Sequence, residues 1–199
     1  TYISGLALLQ AIEDMQKKDF ENGERFGFGE ANFPEAESYF DAGIPHNVYS
    51  FMAQIVKMKV DFKTGALKVL EVCSATDGGK ILDPKTVEGQ MVGGIAMGIG
   101  YALMEQFRYV NGIPLETKLS SYLVPTMADM PKVKALIVES NEDTGPMGVK
   151  GVGEITTIAT APAITSALED ILSCKINSLP VSREIVIDSL ETMHRKGVK

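Results

Sequence analysis

The stretch IVKMKVDFKTGALKV, residues 55–69, sets Val56, Met58, Val60 and Phe62 in alternation with Lys57, Lys59 and Asp61. A period of two places alternate side chains on opposite faces of a strand, so this is a half-buried strand with one apolar face. Lys63, Thr64 and Gly65 then turn the chain, and Leu67, Val69 and Val72 resume the apolar pattern. Residues 48–62 and 66–75 are therefore predicted to pair as a long antiparallel hairpin with a three-residue loop.

On either side of the hairpin the period changes. Residues 5–17, GLALLQAIEDMQK, place Leu6, Leu9, Ala11 or Ile12 and Met15 at helical spacing, with the charges largely opposite, which predicts an amphipathic helix. Residues 20–46 mix Gly, Pro, acids and Phe without a period and read as an extended loop. Downstream, Asp83 and Pro84 form a helix start, a capping oxygen followed by a ring that pre-sets the first-turn dihedral, for a helix to about Glu105. That helix contains Gly89, Gly93, Gly94, Gly98 and Gly100. Each interior glycine costs about 1 kcal/mol against alanine, so close approach to another element, or for a few of them to a ligand, must offset it.

Strands are expected at residues 106–110 and 115–123 around the Asn111–Gly112 turn, then at KVKALIVES, residues 132–140. A helix follows residue 154, with Pro162 either kinking it or lying in its first turn with Thr160 as cap. A short strand at residues 175–176 and a last helix capped by Ser182 complete the pattern. Strands and helices mix without regular alternation, so the fold class is α+β, mixed helices with antiparallel hairpins. Two subdomains would meet near residues 130–150.

Composition narrows function by exclusion. With 45% hydrophobic and 23% charged residues the 199-residue chain is ordinary globular protein. A net charge of −7, with basic residues compact only in HRKGVK at residues 194–199, argues against nucleic acid. The apolar run at residues 91–104 is shorter than the ~20 residues that span a bilayer, which argues against a membrane. Cys73 and Cys174 form no C-x-x-C, which points to a reducing, cytoplasmic setting. His46 and His194 are too few for a triad, and neither GIGYALM nor GPMGVKG has the spacing of a nucleotide-binding loop.

What remains is KGVGE, residues 150–154. Gly151 and Gly153 permit positive φ and close backbone approach to an anion, and a following helix would offer its positive end there. Glu154 then has two readings, a first-turn acid that compensates the helix dipole or a base aimed at chemistry, and its spacing leaves both open.

KGVGE followed by a small-residue helix resembles the C-terminal signature of the molybdenum hydroxylases, the xanthine dehydrogenase and aldehyde oxidase family. Residues 49–107 resemble the family's hairpin, aspartate-glycine turn, Asp-Pro step and E-G-Q helix in the same order, the last at Glu88-Gly89-Gln90. SSYLVPTMADMP (120–131), INSLPVSREIV (176–186) and TYISGLALLQA (1–11) extend the likeness over nearly the whole chain.

The resemblance implies roles. Glu154 matches the family's catalytic base beside the molybdenum, and Gln90 its pterin-contacting glutamine. Gly151, Val152 and Gly153 would shape the backbone there, Thr1 falls at the edge of a pterin-binding segment, and Lys150 would be either an added positive charge or a solvated lysine. The implied cofactor is molybdenum-molybdopterin, as a pterin dinucleotide, with the metal held through the pterin. The 2Fe-2S clusters and FAD would lie on partner domains or subunits.

The chain would be the C-terminal part of the molybdopterin-binding subunit, inactive alone and completed by an upstream molybdenum-domain half in an oligomeric complex. The expected function is oxidation of a small N-heterocycle or aldehyde with oxygen from water. Two alternatives stand beside it: a non-catalytic assembly or scaffold subunit, and an anion-binding domain using the helix after Gly153.

Overall fold

A computed structural model describes residues 2–32 and 48–195, the side chain of His194 excepted. Thr1, His46 and the stretch 33–47 of the expected loop lie outside the described residues, as does the end of the basic tail. The chain divides into two compact units interleaved in sequence: one of residues 1–51, 77–84 and 137–152, the other of residues 52–76, 85–136 and 153–199.

The second, larger unit carries most of a three-stranded sheet in the order β1-β2-β5, with β1 at Phe51–Val60, β2 at Leu67–Asp77 and β5 at Lys132–Val138. β1 alternates as its sequence requires, with Val56, Met58 and Val60 packed against the core and Ile55, Lys57 and Lys59 outside. The turn closes with Asp61 N–H donating to Ala66 O (2.9 Å) and Gly65 N–H to Asp61 O (2.8 Å). Asp61 Oδ1 accepts the Lys63 and Thr64 amides, and Gly65 takes φ +66°, where a side chain would be strained. So short a connection can join only antiparallel neighbours, as the sequence predicted.

Helix α2 (Pro84–Leu103) begins at the expected Asp83-Pro84 step. Its buried side includes Met91, Ile95 and Ile99. After a one-turn helix α3 (Ile155–Ile158), α4 (Thr160–Leu172) adds Ile164, Leu168 and Leu172 at fourfold spacing, all fully buried. Val69, Val72, Val181, Val186 and Leu190 complete this core, the last two from α5 (Arg183–Arg195). Each such side chain contributes about 1.5–3 kcal/mol on burial.

Three local expectations fail. The strand at residues 115–123 is absent: β3 (Tyr109–Val110) and β4 (Ile113–Pro114) form a short ribbon, which ends at a proline that has no N–H to give. Glu116 then takes the Arg108 amide and guanidinium, both at 2.7 Å, and the chain turns through Lys118–Tyr122 bonds. There is no strand at residues 175–176 either, because Glu169 of α4 binds both the Ile176 amide (2.9 Å) and the Lys175 ammonium (2.8 Å). Thr160 does not cap α4: it is the first helical residue, its hydroxyl donates to Gln54 Oε1 (2.8 Å), and Pro162 lies in the first turn.

In the first unit, helix α1 (Tyr2–Gln16) packs by side chains that are only half-buried. Residues 25–30 run along it with no room for a side chain at the two glycines: a Cβ at Gly29 would strike Ala7 O, and one at Gly27 would strike Ala11 O. Asp14 Oδ2 and Gln10 Oε1 accept the Phe28 and Glu30 amides, which gives part of the unpatterned loop a fixed course. A 3-10 turn at Pro146–Gly148 sets Pro146 against Gly5.

Candidate functional site

The segment leading to Glu154 starts in the first unit on a buried ion pair. Lys150 is only 8% exposed. Its Nζ donates to Asp77 Oδ2 (2.8 Å) and Ser140 Oγ (2.9 Å). Ser140 Oγ–H also donates to Asp77 Oδ2 (2.6 Å), while the Gly79 and Ser140 amides reach Oδ1 at 3.0 and 3.3 Å. Burial by itself would raise the Asp77 carboxyl, but these donors outweigh it and hold it at about 2. The Gly79–Val149 bridge and the bond from Lys150 N to Gly78 O (2.8 Å) tie the same two loops through the backbone. Lys150 is thus neither of the things the resemblance allowed, a solvated lysine or a free cation, because Asp77 neutralises it inside the unit.

Two further expectations for KGVGE are corrected. Gly151 and Gly153 are not among the glycines with positive φ; the left-handed residues lie just upstream, at Met147 (φ 56°) and Gly148 (φ 82°). Gly151 is exposed, with nothing within 4 Å of where a Cβ would stand, and Val152 is half-buried, its methyl group 2.7 Å from the corresponding position at Gly78. The helix after Gly153 is a single four-residue turn, too short to present a sizeable dipole or an anion site. Glu154 stands before it with φ −84° and ψ −20°, and its side chain makes no capping bond. The reading of Glu154 as an acid that steadies a helix therefore loses its physical basis, and the anion-binding alternative goes with it.

Within the second unit the structure brings Gln90, Gly153 and Glu154 to one neighbourhood. Thr156, two residues after Glu154 and fully buried, has its hydroxyl 3.0 Å from Gln90 O and 2.9 Å from Gly153 O. A Cβ at Gly153 would stand 3.8 Å from Gln90 Oε1. Gln90 and Glu154 are both exposed, and Glu154 takes no part in the ion pairs of the described residues.

The glycines of α2 explain how the approach is possible. A Cβ at Gly94 would land on Thr156 Oγ1 and lie 2.7 Å from its backbone carbonyl carbon, and one at Gly98 would collide with the Thr160 side chain. These glycines, and Gly100 against Glu105 and Pro125, serve helix packing. Gly89 and Gly93 do not: both are exposed with nothing within 4 Å, and they flank Gln90.

Residues 1–131 match the profile of the molybdopterin cofactor-binding domain, a span that includes Gln90. The chain belongs to this family. It is 40% identical over 154 residues to a probable xanthine dehydrogenase subunit of Bacillus subtilis, covering 77% of this chain and 20% of that protein. Among solved structures it resembles quinoline 2-oxidoreductase from Pseudomonas putida 86, at 31% identity and a TM-score of 0.65, over 68% of this chain and 18% of that one. Aldehyde oxidoreductase from Desulfovibrio gigas shares the fold over 96% of this chain and 23% of its own, with a TM-score of 0.75 at 24% identity. The chain therefore spans about a fifth of the length of these relatives. The α+β class and the expected molybdenum hydroxylase family both stand.

Sequence reasoning missed Thr156, Asp77 and Ser140. The G-x3-G at Gly94 and Gly98 facing T-x3-T at Thr156 and Thr160 was a usable signal, since paired small and β-branched residues at one-turn spacing mark close helix contact. Nothing local marked the pairing of Asp77 with Lys150, which are far apart in sequence. Among the described residues no helix is long and apolar enough to cross a membrane.

Proposed function

We propose that this chain forms part of a molybdenum-dependent hydroxylase in which Glu154 is the general base and Gln90 a pterin contact. The observation that carries the reading is the meeting of Gln90 with Gly153-Glu154 through Thr156, combined with a Glu154 side chain that performs no structural task.

The donor set fits a pterin. A carboxamide presents a donor and an acceptor together, as the mixed edge of a pterin ring requires, and the empty faces of Gly89 and Gly93 leave room on both sides of Gln90. Gln90 would hold the ring, with the exposed Gly153 offering approach without a side chain, while Gly151 and Val152 are assigned to the cofactor's surroundings on resemblance alone. Thr1 remains assigned to the edge of that segment on resemblance alone. When bound, the cofactor supplies the redox centre that accepts the two electrons of the substrate C–H bond.

The reaction converts a substrate C–H to C–OH with oxygen from water, releasing two electrons and two protons. A Glu154 carboxylate oxygen takes the proton of the water-derived nucleophile, a step for which an exposed, unpaired carboxylate is suited. N-heterocycles and aldehydes are the substrate classes. The electrons leave through iron–sulfur and FAD partners in a cytoplasmic oligomeric complex, a reducing setting that agrees with the free thiols of Cys73 and Cys174.

In the assembled enzyme, Glu154→Gln is expected to abolish hydroxylation while molybdenum and pterin contents stay at wild-type levels. Turnover within a few-fold of wild type would refute the assignment and favour a scaffold subunit.

A further inference from the structure

We propose that Thr156 is a positioning residue, whose hydroxyl sets the backbone of Gly153 against that of Gln90 and so fixes where Glu154 points; this rests on the reading of Glu154 as the base. Thr156 has no exposed surface, and its single hydroxyl proton is shared between the carbonyls of Gly153 (2.9 Å) and Gln90 (3.0 Å). One of those carbonyls belongs to the residue immediately before Glu154, the other to the candidate cofactor contact.

Thr156 is itself held from the far side. Gln54 Nε2 donates to Thr156 O (3.3 Å) and to Ser74 Oγ (3.2 Å), and Gln54 Oε1 accepts the Thr160 hydroxyl (2.8 Å). Ser74, Thr156 and Thr160 are fully buried, so the chain of bonds runs from the sheet, through the half-buried Gln54 and through Thr156, to the two carbonyls. A satisfied buried network of this kind specifies one arrangement. The missing side chain at Gly94 is what lets the hydroxyl reach Gln90 O at all.

Neither Gly153 nor Glu154 is buried, and the side chain of Glu154 is tied to nothing, so the backbone from which it projects is held by the Thr156 hydroxyl on Gly153 O and by the Thr157 amide, which donates to Glu154 O (3.0 Å). A displacement of about 1 Å at a reacting group can lower a rate by ~100-fold.

Thr156→Val keeps the shape and removes the hydroxyl; Thr156→Ser keeps the hydroxyl. In the assembled, cofactor-loaded enzyme the valine variant should lose roughly 10- to 100-fold in kcat, and serine should restore it to within about threefold. Hydrogen exchange should accelerate in the valine variant at the amide of Thr157, which donates to Glu154 O (3.0 Å), with the rest of the core protected as in wild type and with serine again restoring protection. Thr156→Ala serves in the same assays, with the same expectation, if the valine variant does not fold.

Wild-type kcat and exchange in the valine or alanine variant would overturn the proposal, as would a serine variant as impaired as valine, which would assign the effect to packing. Uniformly faster exchange across the unit would overturn it in favour of general destabilisation. If Glu154→Gln keeps its turnover, the base reading falls whatever Thr156 does; if that variant is dead while Thr156→Val is unimpaired, only the present inference falls.

Discussion

Replacing Lys150 with methionine should be the most damaging single change in the smaller unit, and the structure says by how much. Asp77 is held at about 2 against an ordinary 3.8, which corresponds to roughly 2.5 kcal/mol favouring its ionised form. The ammonium is one of two donors on Oδ2, and both partners are buried. Methionine fills the same volume but leaves the carboxylate with Ser140 and the Gly79 amide alone. Breaking a buried pair in this way costs about 3–5 kcal/mol. The loss at pH 7 should therefore be about 3 kcal/mol.

The pH dependence gives a second signature. A carboxyl whose folded value is depressed contributes stability above its unfolded value, and that contribution fades as pH falls from about 4 toward 2. Wild type and Lys150→Met should thus converge over that window. Urea denaturation followed by far-UV circular dichroism suits a chain without tryptophan. Asp77→Asn combined with Lys150→Met should recover at least ~1 kcal/mol of what the single changes sum to. Strict additivity, or curves that stay parallel down to pH 2, would refute the account of a coupled buried pair.

The glycines of α2 make a contrasting set. Gly94→Ala should destabilise by about 1–3 kcal/mol in the same denaturation assay, because the new methyl group meets the Thr156 backbone as well as its hydroxyl. Gly93→Ala, with nothing in its way, should instead stabilise by up to ~1 kcal/mol. Gln90→Ala should leave folding within about 0.5 kcal/mol of wild type, since the side chain is exposed, yet lower the pterin content of the assembled enzyme when extracted cofactor is quantified.

The elements with strong periodicity were legible in the sequence. The alternation through Val56, Met58 and Val60 set the hairpin, and Asp83-Pro84 set the start of α2, because each is decided by local sterics and one buried face. The misread elements depend on partners distant in sequence or on side chains that satisfy backbone groups. Glu116 and Glu169 each bind a backbone amide that a strand would have used, and no pattern of hydrophobicity records that. Gln90 and Glu154, the residues singled out from the sequence as a candidate site, fall in one neighbourhood, but what holds them there was illegible. Lys150 looked like a cation with charge to offer because its partner, Asp77, arrives from the end of β2, far away in sequence. The helix expected after residue 154 is interrupted at Ala159, which parts a single turn from α4, and Thr160 gives its hydroxyl to Gln54 rather than capping α4.

The facing pairs Gly94/Gly98 and Thr156/Thr160 behave as notches and teeth of equal pitch. A slip of one residue would drive Ile95 and Ile99 onto the threonines, so the two segments have one register and no neighbouring one. Insertions or deletions at residues 95–97 or 157–159 should thus be absent from functional relatives, while the sequence between the segments is free to vary in length. Within a relative, enlargement of one glycine should coincide with shrinkage of the threonine it faces, a paired change that sequence comparison can look for without any structure.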